Sequence, residues 1–290
     1  MAVRIEPADA TLGAVITGVR LAALNDVEWK EIEAAFHERA VLVFPAQHLS
    51  RAEQTAFGRR FGELDSLVAK TGTVAISNVH PDGTIRRADD PVLGILRGNE
   101  GWHTDSSYMP LAAKASILSA EIPAETGGET EWADMRAAYD ALDDDTKRRI
   151  AGLAARHSLA YSQAKIGEKS SASALAYGFE GHTPPLRPLV KRHPVTGRRS
   201  LFIGRHAYGI PGLDERESEQ LLTELLAFAC ESPRVWKHPW QAGDVAIWDN
   251  RCVLHRARPF DPTQPRVMHH TRIAGDPETE SGLEPTAQSA

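Results

Sequence analysis

Two short runs constrain this chain more than anything else in it. GWHTDSSY carries His103 and Asp105, and WDNRCVLHRARPFD carries His255. On a β-strand, side chains at i and i+2 point to one face. Read as a strand, the first run aims one imidazole and one carboxylate at a common point and turns Thr104 away. A second imidazole from another strand completes a set of two histidines and one carboxylate. His255 is placed for it, because it follows the strand-like run from Asp244 to Trp248, which opens after the turn signal Ala242-Gly243. Such a set leaves coordination positions open, as non-haem Fe(II) oxygenases require.

The pattern HxD is short, and an isolated copy is ordinarily a surface histidine beside a helix-capping aspartate. Its surroundings argue otherwise here. Trp102 before it and Tyr108 after it point to a partly buried strand end. Beyond His255, Arg266 opens another strand-like run, and a hairpin would return it beside the metal. Its guanidinium is suited to a bidentate grip on a carboxylate.

Composition narrows the class without naming it. The 290 residues allow one large domain with a sizeable core. A net charge of −6 leaves no electrostatic footprint for nucleic acid or an anionic membrane. Cys230 and Cys252 form no CxxC pattern and are expected to be buried free thiols. MAVRIEPADATLG has neither a basic nor an apolar signal region, and no apolar run reaches membrane-spanning length, so a cytoplasmic enzyme is expected. P-loop, GxGxxG and GxSxG motifs are absent.

Strands and helices interleave along the chain. Short strands are expected at residues 14–17, 41–44, 74–78, 235–238, 245–248, 253–255 and 266–273. Helical spacing covers 26–39. Ser50 and Glu53 form a capping box for a helix to about Phe61. Asp134 is expected to cap one long helix through Ala137, Leu142, Ile150 and Leu153, and Asp214 with Glu217 to cap another reaching about Cys230. Residues 66–99 and 161–185 read as long loops, the first a candidate active-site lid. Residues 1–275 read as one domain with a β-sandwich core and flanking helices, and 276–290 as a polar, frayed tail.

Further runs carry a resemblance: VLVFPAQHLS, EQTAFGRRFGEL, Asn99 four residues before His103, GGETEWADMRAAYDAL, RSLFIGRHA, GDVAIWDNRCVLHRA and VMHHTR. From about residue 15 to about 275 the chain resembles the TauD/TfdA family of Fe(II)/2-oxoglutarate dioxygenases. It is most similar to the branch that cleaves aryloxyalkanoate herbicides of the (S)-dichlorprop and 2,4-D type. The resemblance implies a double-stranded β-helix, or jelly roll, mainly β with flanking helices. It implies Fe(II), 2-oxoglutarate and O2, with His103, Asp105 and His255 as iron ligands. Thr130 and Arg266 match the residues that hold the distal carboxylate of 2-oxoglutarate. Substrate would be a small anionic aromatic acid, and a homo-oligomer (dimer or trimer) is expected.

One position departs from the family. Where the taurine and 2,4-D enzymes carry a substrate-binding arginine, four residues past Arg266, this chain has His270. The substrate's anion then needs another cation, for which Arg205, or Lys70 or Arg97 in the lid, are candidates. Asn99 and Tyr108 are further candidates for the substrate pocket, while His157, His206 and His238 read as structural. Three alternatives stay open: a taurine, alkylsulfonate or alkyl sulfate substrate; a zinc hydrolase with the same three ligands; and a jelly roll that binds a metal or small acid without turnover.

Overall fold

The computed structural model describes residues 2–65, 70–87, 89–167 and 183–283. Among these, the strands are β1 (Arg4–Pro7), β2 (Ala14–Thr17), β3 (Val41–Phe44), β4 (Val74–Ser77), β5 (Ala113–Ile122), β6 (Thr130–Asp134), β7 (Ala154–His157), β8 (Leu186–Pro188), β9 (Val190–Arg192), β10 (Arg199–Leu201), β11 (Ala207–Tyr208), β12 (Val235–His238), β13 (Val245–Asp249), β14 (Val253–Ala257) and β15 (Val267–Ala274). The helices are α1 (Asp26–Arg39), α2 (Arg51–Arg59), α3 (Pro91–Gly98), α4 (Met135–Ala141), α5 (Asp144–Ile150), α6 (Leu159–Lys165), a long helix over Glu215–Ala229 and a last turn over Pro277–Glu280. No helix is long and apolar enough to cross a membrane among the described residues.

Side-chain alternation builds the main sheet, whose order is β1-β2-β3-β13-β5-β15-β4. In β13, Val245 and Ile247 face one way and Ala246 and Trp248 the other. The first face packs under α1 and α2 through Ile32, Phe36, Phe57 and Phe61. The second packs on a smaller sheet of order β12-β6-β14, where Trp132 and Val253 meet Trp248 and Met268. Both faces of the central strands are therefore covered, which is why β3 reads VLVF and is buried throughout. Two sheets, antiparallel except for the parallel β2–β3 pair, packed face to face give the jelly roll. Helices α4 and Glu215–Ala229 close a separate apolar layer with Leu201, Ile203 and Leu254.

Local chemistry fixes the helix starts. Asn25 with Glu28, Ser50 with Glu53, and Asp214 with Glu217 all form reciprocal capping boxes. Several expectations need correction. The segment 66–99 holds a helix, α3, as well as its expected strand. Asp90 accepts from Val92 N at 2.8 Å, and Pro91 supplies the first helical residue. Asp-Pro is therefore a helix start here, not a turn. The single long helix after Asp134 is two. Leu142 is extended, and Asp143 caps α5 through Thr146 N at 2.7 Å. The segment 161–185 opens inside α6, while its residues 168–182 lie outside the described residues.

The tail also departs from expectation at its start. Arg187, fully buried, donates to Ser107 O at 3.0 Å and to Glu280 O, and Lys191 ion-pairs with the Glu280 carboxylate. Leu283 bridges Leu186. Residues 276–283 are thus docked on the strand that steadies the loop after Asp105, and 284–290 lie outside the described residues. Removing residues 276–290 should leave Lys191 buried without its carboxylate. The expected loss is about 3–5 kcal/mol in urea unfolding, and an unchanged midpoint would show that the segment contributes nothing.

Candidate metal centre

His103 and His255 meet across a single antiparallel bridge. Each backbone N–H donates to the other's carbonyl, at 3.0 and 2.9 Å. This corrects the expected strand: His103 is an isolated bridge residue, and Asp105 already lies in the turn that follows. The geometric consequence survives. Directly opposed residues share a face, so the two imidazoles lie with ring centroids 4.1 Å apart. Thr104 faces away, as expected, and donates to Val253 O at 3.1 Å. Asp105 comes back to the histidine side, with Oδ2 at 3.6 Å from His255 Nε2. One ligand atom from each of His103, Asp105 and His255 fits within 4.8 Å of the others.

The donor chemistry fits a divalent cation. His103 Nδ1 lies 2.8 Å from Gly101 O, so it carries the proton and leaves Nε2 a lone pair. Burial lowers the His103 imidazole to about 4 and, with His103 alongside, holds His255 well below its ordinary value. Both stand neutral at pH 7, as ligands must. Burial acts to raise the Asp105 carboxyl, but His255 and His270 overcome it and hold the group well below the usual range. A second cluster, His37, His193 and Asp249, has similar spacing but different bonding. Arg251 grips Asp249 with two bonds of 2.8 and 2.6 Å. His193 Nδ1 accepts from two backbone amides, so its Nε2 proton goes to Asp249 at 3.0 Å. Those lone pairs are spent.

The triad opens on a cavity that communicates with solvent. Arg266 lines it, 5% exposed, with Nη2 on Gly128 O at 3.1 Å. No carboxylate pairs with it among the described residues, and burial alone brings it down to about 10, still a cation at neutral pH. Its direction is set from behind. Asn78 accepts from Arg266 N at 2.8 Å and donates to Pro262 O and Gln264 O, bracing the turn before β15. Gly128 gives way to it, since a Cβ there would stand 3.0 Å from Arg266 Nε. Thr130, on β6 opposite Ala257, accepts from Trp240 Nε1 at 2.9 Å and keeps its own proton to donate.

The other expected residues divide. Asn99, Tyr108, Arg205 and His270 all line the cavity. His270 stacks on Trp248 at 11° and brings Nε2 to 3.4 Å from Asp105 Oδ2. Arg205 threads past Gly98 and Gly101, where an added Cβ would collide with it. It donates to Gly98 O, Ser162 O and Gln163 Oε1, tying α3 to α6 across the cavity rim. Lys70 is exposed and is not brought to the cavity, and Arg97 lines neighbouring pockets instead. His206, read as structural, lines the cavity as well, 4.8 Å from the Tyr108 ring. Its neighbour Arg205 was the only signal for it. Leu159 and Gln163 carried none.

Comparison with known proteins agrees with this geometry. The family described as "Taurine catabolism dioxygenase TauD, TfdA family" matches residues 4–273. An (S)-phenoxypropionate/alpha-ketoglutarate dioxygenase from Sphingobium herbicidovorans is 55% identical, over 96% of this chain and 97% of its own. An alpha-ketoglutarate-dependent 2,4-dichlorophenoxyacetate dioxygenase from Cupriavidus pinatubonensis is 39% identical, over 88% and 91%. The crystal structure of AAD-2 in complex with Mn(II) and N-oxalylglycine superposes with a TM-score of 0.89 at 37% identity, covering 98% of this chain and all 100% of that one. A jelly roll with two histidines and a carboxylate at its open end defines the Fe(II)/2-oxoglutarate-dependent dioxygenases, and this chain is one. Within that class it belongs to the TauD/TfdA family.

The buried imidazoles give a pH signature. Burial also lowers His157 to about 3 and His206 well below its ordinary value. Below about pH 6.5 the unfolded chain takes up these protons and the folded chain does not, so stability falls as pH drops from there toward 4. His103 and His157 should each cost about 2 kcal/mol at pH 5. The urea midpoint of metal-free protein is expected to be clearly lower at pH 5 than at pH 7. A flat profile would mean that these rings protonate in the folded state.

Proposed function

We propose that residues 1–275 act as one dioxygenase domain that hydroxylates aryloxyalkanoic acids next to the ether oxygen. His103, Asp105 and His255 would hold Fe(II), and Arg266 with Thr130 would hold the distal carboxylate of 2-oxoglutarate. The observation that carries this reading is Arg266: a buried cation with no carboxylate of its own among the described residues, opening on the same cavity as the triad. A buried guanidinium calls for an anion. The analogue in the AAD-2 structure, N-oxalylglycine, has the same two terminal carboxylates as 2-oxoglutarate.

With 2-oxoglutarate and O2, bound Fe(II) supplies the oxidising power that turns a substrate C–H into C–OH, releasing succinate and CO2. The chain's residues do the rest. Arg266 donates to a carboxylate along its fork, and Thr130 adds a hydroxyl proton. Leu118, Leu159, Ile76 and Trp248 give the aromatic ring an apolar wall and keep water off the reacting carbon. His270 faces the same cavity, with Arg205 at the rim, where a substrate carboxylate can be received. Hydroxylation beside the ether oxygen makes a hemiketal or hemiacetal. It collapses as the new hydroxyl loses its proton and the aryl–oxygen group leaves as a phenol, with a keto acid or glyoxylate left behind. Relatives named for (S)-phenoxypropionate and 2,4-dichlorophenoxyacetate support this substrate class.

The test is an anaerobic Fe(II)/2-oxoglutarate complex offered (S)-2-aryloxypropionates, 2,4-D, taurine and alkyl sulfates, then exposed to O2. Equimolar succinate and phenol from the aryloxy acids are expected, and succinate without phenol would overturn the substrate class. Alanine at His103, Asp105 or His255 should abolish turnover; near-normal activity in any one, freed of natural protein, would remove that ligand from the set.

Arg266→Ala should weaken 2-oxoglutarate binding by about 10–150-fold, the range for a lost charged hydrogen-bonded pair, and Thr130→Val should cost less. Unchanged 2-oxoglutarate dependence would move the anchor to another cation, Arg272 first. His270→Ala should raise the KM for the aryloxy acid more than that for 2-oxoglutarate, and equal losses would take His270 out of the substrate site. A cytoplasmic homo-oligomer, dimer or trimer, is the expected assembly, and light scattering of the purified chain reads its mass.

A further inference from the structure

Asp105 is held by a chain of hydrogen bonds that can run in only one direction. In the main sheet, Ser116 of β5 stands opposite Trp248 of β13 and Arg272 of β15. Asn250 follows in the turn after β13. Ser116, Trp248 and Asn250 are 0%, 2% and 1% exposed. The indole Nε1 of Trp248, which can only donate, gives its proton to Asn250 Oδ1 at 3.0 Å. The backbone N–H of Asp105 points at the same oxygen at 3.4 Å.

Two donors on one atom settle which end of the amide is oxygen. Asn250 Nδ2 must then donate, and it does so to Ser116 Oγ at 2.9 Å. With that lone pair taken, the Ser116 proton goes to Asp105 Oδ2 at 2.6 Å. The next residue is pinned as well: Ser106 sits at a left-handed φ of 54°, donates to Asp65 at 3.1 Å and accepts from Arg272 Nη1 at 2.9 Å.

We propose that Ser116 is a positioning residue for the metal-binding carboxylate, with Trp248 and Asn250 setting the direction of its proton. The inference rests on Asp105 being a metal ligand. A short bond to one oxygen, polarised from behind, stops the carboxylate from rotating about its terminal torsion. It also keeps the carboxylate aimed at the histidine side. The oxygen it holds is the one that faces the histidines, 3.6 Å from His255 Nε2 and 3.4 Å from His270 Nε2. Partners of this kind behind a ligand are worth roughly 10–100-fold in metal affinity.

The experiment is Co(II) binding to the purified full-length chain, by equilibrium dialysis, with the visible absorption of bound Co(II) as a second readout. Urea unfolding of the metal-free proteins runs alongside. S116A is expected to bind Co(II) about 10–100-fold more weakly and with a changed spectrum, while its metal-free urea midpoint stays close to that of the natural chain. S116T, which keeps the hydroxyl, should recover most of the affinity and the natural spectrum. Loss in S116T as great as in S116A would make the effect one of packing and overturn the hydroxyl's role. If S116A binds Co(II) as the natural chain does while D105A does not, Asp105 stands as a ligand and the positioning role falls. If D105A also binds as tightly as the natural chain, the ligand reading itself fails and takes this inference with it.

Discussion

The open end of this barrel depends on the pair of hydrogen bonds between His103 and His255. The segment around His103 forms no extended ladder, so this bridge sets its register against β14. A slip of one residue would put Thr104 where His103 stands and turn both imidazoles apart. Two contacts oppose the slip. The Thr104 hydroxyl holds Val253 O on the far side, and Ala257 N holds Asn99 O four residues upstream. Gly204 lets the neighbouring loop close over the bridge, since a Cβ there would lie 3.1 Å from Trp102 O. The metal-type constellation thus follows from pairing geometry in a segment too short to count as a strand.

The same cavity concentrates ionisable groups that burial disfavours, and its charges make sense as a set. Among its lining residues, Asp105 is the anion and Arg205, Arg266 and Arg272 are the guanidinium cations. Under the proposed roles, a divalent cation with a dicarboxylate co-substrate leaves that balance unchanged in a low-dielectric space. A substrate carboxylate then brings one further negative charge. Under the proposed function it would face a wall that carries Arg205 and Arg272, with the apolar side chains left for the ring.

Much of this was legible in the sequence where a local rule acts alone. The strand run of β13, the VLVF run of β3 and the Ser50–Glu53 box all depend on neighbours along the chain, and all formed as read. The triad was legible because HxD and the distant histidine have few other uses together. What escaped reading depends on competition or on distance. Asp90-Pro91 has the chemistry of a turn and of a helix start alike, and only the apolar run Val92, Leu93, Leu96 packing inward decides for the helix. Asp143 splits one expected helix into two for the same reason, by offering its own cap. Lys70, in the segment expected to form a lid, is exposed. Asn78, His206 and Gln163 reach the site only through tertiary contacts, which no spacing rule encodes.

The second histidine–aspartate cluster shows what separates a site from a scaffold. His37, His193 and Asp249 match the triad in residue type and nearly in spacing. In that cluster Arg251 neutralises Asp249, and backbone amides hold His193 Nδ1 as an acceptor, so the Nε2 that faces Asp249 carries a proton and offers no lone pair to a metal. Around the triad the bonds orient the ligands without using up their lone pairs. Ser116 tethers one carboxylate oxygen, Gly101 takes the His103 Nδ1 proton, and the remaining lone pairs converge on one point. Residue identity is common to both clusters. The direction in which the hydrogen bonds run is not, and it is that direction which leaves one set of lone pairs open to a cation and closes the other.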